Sequence, residues 1–205
     1  MFSRILKLPV VALLLTLNGC GQPALPLLEK SDVIVAFGDS LTAGYGVKKG
    51  LDYPAVLSQL SGYKVVNSGV SGETTSQGLK RIEAILDLHQ PKLVILMEGG
   101  NDVLQKVPVV KIENNLNRMI DLIEARGASV LLIGMPEKRL FGDTLDMYYD
   151  IAESRQIPLE DDTVASLLAR PSMKSDYVHF NAKGYAALAE AIYEVLIESG
   201  AIEKP

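Results

Sequence analysis

One serine, two histidines and a few amide and acidic side chains are the residues through which this sequence could do chemistry. Ser40 follows an apolar run that ends in glycine, where a helix is expected to begin. A serine hydroxyl is a weak nucleophile that needs a base, and His89 and His179 are the histidines of the chain. A helix start offers unpaired N–H groups and the positive end of the helix dipole, which support an oxyanion. The same position also suits a serine that only caps the helix.

The two histidines differ in their neighbours. His179 follows Asp176 by three positions, a spacing that on a helical turn brings both side chains to one side. The carboxylate could then accept from Nδ1 and leave Nε2 facing Ser40, as in a catalytic triad. The alternative is a loop pair that caps the final helix or binds solvent. His89 ends a helical segment, where a surface residue or a helix-terminal charge is expected.

Two further residues could stabilise the negative charge that acyl transfer places on a carbonyl oxygen. Each fixed N–H donor at such an oxygen is worth ~10²–10³ in rate. Gly72 can offer a backbone N–H with no side chain in the way, and Asn101 can offer its side-chain amide. Turn geometry could equally explain Gly72, and capping could explain Asn101. Asp39 and Asp102, beside these positions, are expected to stabilise turns.

Strands and helices that alternate along the chain must position these residues. Short β-branched apolar runs predict strands at 33–37, 64–66, 93–97, 130–133 and 157–159. Apolar spacing and end signals predict helices at 53–60, 79–88, 112–127, 145–154 and 181–197. This alternation favours an α/β fold whose parallel sheet is covered by helices on both faces. In such sheets, ligand-binding and catalytic residues lie at the carboxyl ends of the strands.

Four blocks, in this order, resemble those of the SGNH (GDSL) hydrolase family. The family carries Ser in Gly-Asp-Ser, a Gly, Asn in Gly-x-Asn-Asp, and Asp-x-x-His near the carboxyl terminus. The resemblance implies that Ser40 is the nucleophile, that His179 is the general base and that Asp176 orients it. It also implies an oxyanion hole formed by the Ser40 N–H, the Gly72 N–H and the Asn101 side chain.

Segments 37–46, 53–54 and 66–75 are similar to the bacterial arylesterase and thioesterase I/lysophospholipase L1 branch of that family. The resemblance implies a three-layer α/β/α sandwich with a flavodoxin-like sheet in the order 2-1-3-4-5. It also implies cleavage of aryl esters, acyl thioesters or lysophospholipids with no metal or cofactor. Phe180 stands where this branch usually has proline. Loops 103–109 and 137–146, which shape the acyl pocket in the family, do not match it, so acyl length and leaving group stay open.

Two other functions fit parts of the sequence. A secreted enzyme of this kind could remove acetyl groups from glycans of the cell envelope, and a comparison of acetyl with octanoyl esters would distinguish it. A non-catalytic lipoprotein that binds a ligand is the other possibility. The complete Ser, Gly, Asn, Asp and His set favours an enzyme, since a binding protein has no need of a paired base and oxyanion donors.

The first twenty residues have a different character from the rest. Arg4 and Lys7 precede an apolar run at 8–17, which is shorter than the ~20 residues that span a bilayer and is typical of a secretory signal peptide. The run ends in Leu-Asn-Gly-Cys20, which resembles the lipobox of bacterial lipoproteins. The resemblance implies a signal peptide at 1–19, a lipidated Cys20 with a short tether to residue 31, and one hydrolase domain at 32–205. A plain signal peptide with a chance cysteine is the alternative.

Composition excludes several classes of protein. The chain has 205 residues, one cysteine and a net charge of −5. Residues 1–19 hold two positive charges and no negative one, so the mature chain would carry −7. This acidity argues against nucleic-acid binding, and one cysteine permits neither an intrachain disulfide nor a multi-cysteine metal site. We expect a monomer that acts on a small acyl ester or thioester and meets the membrane only through the Cys20 lipid. The lipobox implies a protein anchored in the bacterial envelope, periplasmic or outer-membrane. Gly21, in place of an aspartate after Cys20, resembles the sorting signal for the outer membrane.

Overall fold

The computed structural model describes residues 24–137 and 143–204. A parallel sheet lies at its centre, with the strand order β2-β1-β3-β4-β5. The strands are β1 (Val33–Gly38), β2 (Lys64–Gly69), β3 (Leu93–Met97), β4 (Ser129–Ile133) and β5 (Leu159–Glu160). This order confirms the flavodoxin-like sheet that the family resemblance implies.

Helices cover both faces of this sheet. In the part of the chain that is described, they are α1 (Ser40–Ala43), α2 (Tyr53–Ser61), α3 (Thr75–His89), α4 (Gly100–Leu104), α5 (Val109–Glu124), α6 (Asp146–Arg155), α7 (Thr163–Leu168) and α8 (Ala182–Glu198). Helix α2 packs on α8, and α3 packs on α5. These pairs form the two outer layers of the three-layer α/β/α sandwich.

The middle of the sheet is the most apolar part of the molecule. Every residue of β3 is buried, and β1 is buried from Ile34 onward. Continuous apolar strands of this kind are typical of a parallel sheet covered on both faces. Phe180 is fully buried and packs edge-to-face on Tyr185 with ring centroids 5.5 Å apart. Its side chain is therefore part of the core.

Several element boundaries differ from the sequence-based prediction. Strand β2 continues to Gly69 instead of stopping after Val66, because Asn67 and Ser68 pair with β1. The Asn67 side chain donates to the Thr42 carbonyl oxygen at 2.8 Å, which satisfies a polar group that otherwise signals a turn. Strand β5 lies two residues later than its predicted start. Helices α1, α4 and α7 are too short to show a periodic apolar pattern.

The amino-terminal segment of the described chain is attached to the carboxyl terminus. The Leu25 N–H donates to the Ser199 carbonyl oxygen at 2.7 Å, and the Leu28 N–H donates to that of Ala201 at 2.8 Å. The packed domain therefore begins near Leu25, inside the predicted tether at 20–31. Residues 1–23, with the predicted signal peptide and Cys20, lie outside the described residues, as does 138–142 of the predicted pocket loop. Among the helices that are described, none is long and apolar enough to cross a membrane.

Candidate active site

The carboxyl ends of three neighbouring strands bring the predicted site residues together. Ser40 follows β1, the loop that holds Gly72 follows β2, and Asn101 lies in α4 just after β3. Because β1 lies between β2 and β3, all three segments meet at one edge of the sheet. His179, just before α8, approaches the same edge. This is the edge at which ligands bind in open α/β sheets.

Ser40 lies at the first turn of α1 but does not cap it. Asp39 is the cap, and its carboxylate accepts from the Leu41 N–H at 2.9 Å. A Cβ on Gly38 would lie 2.2 Å from the Met97 carbonyl oxygen, so only glycine permits this tight exit from β1. Capping therefore does not occupy the Ser40 hydroxyl, which is free for a different partner.

That partner is His179, whose Nε2 lies 3.0 Å from the Ser40 Oγ. On the other side of the imidazole, Nδ1 lies 2.8 Å from the Asp176 Oδ2. The spacing of Asp176 and His179 does not reflect a helical turn, contrary to the prediction. The chain bends there, and the Asp176 Oδ1 accepts from the backbone N–H groups of Val178 and His179, both at 2.9 Å. The carboxylate thus fixes both the loop and the ring.

The contacts of Asp176 keep its carboxyl group ionised. Partial burial opposes ionisation, but hydrogen bonds from the Val178 N–H and from the side chain and N–H of His179 outweigh it and lower the pKa of Asp176 below its usual value. An ionised carboxylate favours the tautomer with the proton on Nδ1. Nε2 is then the acceptor that faces Ser40. The Tyr45 ring packs against the imidazole, with centroids 4.3 Å apart.

Gly72 and Asn101 lie on the other side of Ser40. Gly72 has φ +81°, and a Cβ there would have nothing within 4 Å, so its backbone faces open space at the cavity. The Asn101 Nδ2 donates to the Asp39 Oδ2 at 3.0 Å and to the Glu73 carbonyl oxygen at 2.9 Å. Because these bonds use both amide hydrogens, Asn101 must exchange or share one of them to donate to a bound oxygen.

Of the two aspartates expected to stabilise turns, Asp39 does so by capping α1, whereas Asp102 makes a long-range contact instead. Asp102 is buried and accepts from the Thr75 N–H and hydroxyl group, both at 2.8 Å, which joins α4 to the start of α3. Asp39 is also buried. Burial is the main cause that raises its pKa from 3.8 to about 6, while the Leu41 N–H and His179 act in the opposite direction.

A partly buried ion pair next to the site is not predicted by the sequence. Glu73, which follows Gly72, pairs with Arg81 of α3, whose guanidinium group lies over the Phe37 ring at 3.9 Å. The guanidinium also donates to the Ser68 hydroxyl at 3.0 Å and to its carbonyl oxygen at 2.9 Å. Eight positions separate the two charges, and no local spacing rule pairs residues that far apart on a helix and its preceding loop.

A cavity of about 690 Å³ opens at Ser40. Its polar end holds Ser40, Gly72, Asn101 and His179. The remaining wall is mostly apolar and includes Val103, Leu104, Met135, Pro136, Leu168 and Val178. His89, by contrast, is the last residue of α3 and does not line this cavity. In the described ranges, no group of three His, Cys, Asp or Glu side chains is placed to hold a metal ion.

A parallel α/β sheet that places serine, histidine and aspartate in hydrogen-bond contact beside an apolar cavity defines a serine hydrolase of the SGNH type. The model of the GDSL-like lipase/acylhydrolase family matches residues 36–187 of this chain. The chain belongs to that family, and it is an enzyme that hydrolyses esters.

Individual relatives agree with this assignment. An arylesterase of Vibrio mimicus is 32% identical over 181 residues, which are 83% of this chain and 90% of the relative. The thioesterase 1/protease 1/lysophospholipase L1 of Escherichia coli (strain K12) is 31% identical over 168 residues, 78% of this chain and 81% of the relative. AlinE4, an SGNH-hydrolase family esterase, has a crystal structure that matches with a TM-score of 0.66 and 33% identity. That match covers 84% of this chain and 98% of AlinE4.

Proposed function

We propose that Ser40 is the nucleophile of an ester and thioester hydrolase, with His179 as general base and Asp176 as the residue that orients it. The observation that supports this most is the pair of contacts on the imidazole, 3.0 Å from Nε2 to the Ser40 Oγ and 2.8 Å from Nδ1 to the Asp176 Oδ2. A base must lie within hydrogen-bond reach of the proton that it removes. Both distances satisfy that requirement.

The reaction has two steps. The Ser40 Oγ attacks the carbonyl carbon as His179 Nε2 takes its proton, and the alcohol or thiol then leaves with that proton. An acyl-serine ester remains. Water, deprotonated by the same nitrogen, attacks this ester, and the proton returns to the Ser40 Oγ as the carboxylic acid departs. Each step therefore begins and ends with a balanced proton count at His179.

We infer that the oxyanion of both steps is held by the Ser40 N–H, the Gly72 N–H and the Asn101 amide. Ser40 opens α1, where the first N–H groups have no partner within the helix. The Asn101 amide is already held by Asp39 and by the Glu73 carbonyl oxygen. To donate to the oxyanion, the amide must exchange or share one of these two hydrogen bonds, and fixed donors of this kind contribute strongly to catalysis.

The cavity favours acyl groups longer than acetyl. A volume of about 690 Å³ lies within the ~300–1,000 Å³ range of sites for small organic ligands. Val103, Leu104, Leu168 and Val178 offer apolar contacts and no hydrogen bonds for a sugar from their side chains. The relatives, an arylesterase and a thioesterase 1/protease 1/lysophospholipase L1, support the same substrate classes. We therefore place acyl esters and acyl thioesters ahead of acetylated glycans.

A chain-length series tests this substrate assignment. p-Nitrophenyl esters from acetyl to dodecanoyl, and the matching acyl thioesters, are compared by kcat/KM, with an acetylated polysaccharide as the competing substrate. We expect the highest values for medium-length chains, because each buried CH₂ contributes about 0.8 kcal/mol. Strict preference for acetyl together with release of acetate from the polysaccharide would replace this assignment by glycan deacetylation.

We also propose that Cys20 carries a lipid that anchors the enzyme in the bacterial envelope, on its periplasmic or outer-membrane side. Leu25 is bonded to Ser199, at the end of α8 that lies far from Asn181 and the site. An anchor at residue 20 would thus enter the domain from the edge opposite the cavity. Replacement of Cys20 by serine should move the protein from the membrane to the soluble fraction with unchanged ester hydrolysis. Equal membrane association of both forms would contradict the proposal.

The site is built within one chain, so we infer that the enzyme acts as a monomer on a small acyl substrate. Ser40, Gly72, Asn101 and His179 all belong to the same cavity. Sedimentation of the protein lacking residues 1–23 should give the mass of one chain, and a stable dimer at catalytic concentrations would contradict this inference.

A further inference from the structure

The carboxyl group of Glu98, which lies just after β3, has no hydrogen-bond donor in the described structure. Glu98 is fully buried, and both of its side-chain oxygens lack a partner. A carboxylate stripped of water without a partner is strongly disfavoured, and such a group remains protonated instead. A protonated carboxyl group carries an O–H donor, which needs an acceptor of its own.

The adjoining acceptor is the carboxylate of Glu73. If Gly78 of α3 carried a Cβ, that atom would lie 3.1 Å from the Glu98 Oε1 and 3.5 Å from the Glu73 Oε2, so the two oxygens face the same point of the helix. Glu73 is already bonded to the Arg81 guanidinium, so its oxygens act as acceptors there. Two adjoining carboxyl groups of this kind share one proton, because both cannot ionise side by side.

The charged groups around Glu98 favour the same protonation state. Asp39 and Glu73 face it with negative charge, and Arg81 is the opposing positive charge. Burial first, then Asp39 and Glu73, raise the pKa of Glu98 well above its usual value, and Arg81 does not compensate. From α6, Tyr148 donates its hydroxyl to the Glu98 backbone oxygen at 2.7 Å and brings no positive charge.

Glu73 is bonded to both residues assigned to the oxyanion hole beside Ser40. It follows Gly72 in the chain, and its carbonyl oxygen accepts from the Asn101 Nδ2 at 2.9 Å. Its carboxylate binds Arg81, whose guanidinium group also holds the carbonyl oxygen of Ser68. The Glu73 side chain therefore fixes the loop that carries one oxyanion donor, and its backbone fixes the other.

We propose that Glu98 is a neutral acid that donates a hydrogen bond to the Glu73 carboxylate, and that this bond positions Gly72 and Asn101 for oxyanion binding. The proposal rests on the oxyanion hole assigned above. Glu98 touches no reacting atom; it is a positioning residue that acts through Glu73. Its loss lowers turnover, because oxyanion donors act mainly in the transition state, and leaves substrate binding by the cavity unchanged.

Two substitutions of Glu98 distinguish the loss of its hydrogen-bond donor from a change in side-chain packing. Glu98→Met keeps the length of the side chain but removes the donor, and we expect kcat to fall by about 10- to 100-fold with unchanged KM, as small displacements at a site do. Glu98→Gln keeps an N–H donor and should retain most of the wild-type kcat. Glu160→Met is the matched control. Glu160 is also a buried acid with one unpartnered oxygen, but its other oxygen accepts from the Thr163 N–H of α7 and not from the Glu73 region, so only stability should fall.

Infrared difference spectra of the wild type against Glu98→Gln test directly whether the Glu98 carboxyl group is protonated. This measurement does not depend on catalytic activity. We expect the carbonyl stretch of a protonated carboxyl group at neutral pH in the wild type and its absence in the variant. Absence of that band, wild-type kcat in a folded Glu98→Met, or equal losses in the Met and Gln variants would each overturn the proposal. A wild-type protein that hydrolyses no ester would instead contradict the proposed function, while the infrared result would still stand.

Discussion

At the scale of single residues, each reactive side chain of this site depends on a hydrogen-bonded partner. The Ser40 hydroxyl has a base because His179 lies at 3.0 Å, and the imidazole has one orientation because Asp176 bonds both the ring and the loop backbone. Sequence spacing correctly indicated Asp176 and His179 as neighbours but for the wrong geometric reason, and the family resemblance added Ser40. An aspartate three positions before a residue can accept backbone N–H groups in a bend as well as share a helix face.

Replacement of the two histidines should separate the base from a bystander. His179→Ala should lower kcat for a p-nitrophenyl ester by about four orders of magnitude, because members of a triad act as a unit. His89→Ala is the matched control: His89 ends α3 away from the cavity, and turnover should stay near that of the wild type. Steady-state kinetics on both purified variants measure the difference, and comparable losses would contradict the assignment of His179.

Asp39 should make folding stability depend on pH in the acid range. Its pKa is raised to about 6 in the folded protein, so the folded state holds this proton more tightly than the unfolded chain. Stability from this group is therefore greatest below about pH 4 and falls as pH rises to about 6, by up to about 3 kcal/mol.

Asp39→Asn removes this titration. Urea unfolding at pH 4 and at pH 7 should show the variant gaining free energy of unfolding relative to the wild type as pH rises. The Asn101 contact to Asp39 is changed in the variant at every pH, so its cost cancels in the comparison. A difference between the two proteins that stays constant from pH 4 to pH 7 would contradict the raised pKa.

At the scale of elements, the sequence predicts the buried strands well and the polar strand ends poorly. Strand β3 is found at its predicted bounds, since a continuous apolar run has few other places to lie. Strand β2 ends three residues later than expected because Asn67, Ser68 and Gly69 pair with β1. The polar side chains of Asn67 and Ser68, followed by Gly69, indicated a turn. Their hydrogen-bond partners belong to distant segments, which no local sequence pattern reveals.

The Glu73–Arg81 ion pair and the buried Glu98 show the same limit within the site. The family blocks indicated Ser40, Gly72, Asn101 and His179 by position. The charged and acidic groups that surround them lie on a loop, a helix and a strand end, so their proximity depends on tertiary packing. A charged residue directly after an apolar strand, as at Glu98, was the one available signal, since ionisable groups at buried positions are rare without a role.

Two glycines, one at the end of β2 and one in the loop that follows it, should respond very differently to alanine. A Cβ on Gly69 would lie 2.1 Å from the Ala43 backbone nitrogen, whereas one on Gly72 would meet nothing within 4 Å. Gly69→Ala should therefore cost about 3 kcal/mol of stability, as overpacking does. Gly72→Ala should cost about 1 kcal/mol for its positive φ alone. Denaturant titration compares them, and a larger loss at Gly72 would contradict the close contact of β2 with α1.

At the scale of the whole molecule, residues 24–28 and the segment after α8 pack together at the edge of the sheet opposite the site. Leu28 is buried, its N–H donates to Ala201, and its carbonyl oxygen accepts from the Tyr63 hydroxyl at 3.0 Å. These contacts lie at the edge of the sheet opposite Ser40 and His179.

Truncation at the amino terminus tests how much these contacts stabilise the fold. A protein that begins at residue 24 keeps the contacts of Leu25 and Leu28, and one that begins at residue 31 loses them. We expect the shorter form to lose about 3 kcal/mol of unfolding free energy, from one buried leucine and its hydrogen bonds. Both forms should keep similar kcat at low temperature, because the site lies at the opposite edge. Equal stability of the two forms would contradict a packed role for residues 24–30.

The central claim, that Ser40 forms the acyl-enzyme, is tested most directly by covalent trapping. A fluorophosphonate ester is incubated with the protein, and peptide mass mapping locates the adduct, with Ser40→Ala as the matched control. We predict one phosphonate per chain on Ser40, loss of ester hydrolysis in proportion to labelling, and neither labelling nor measurable turnover in folded Ser40→Ala. A label on another residue that abolishes activity, or wild-type turnover in Ser40→Ala, would contradict the account.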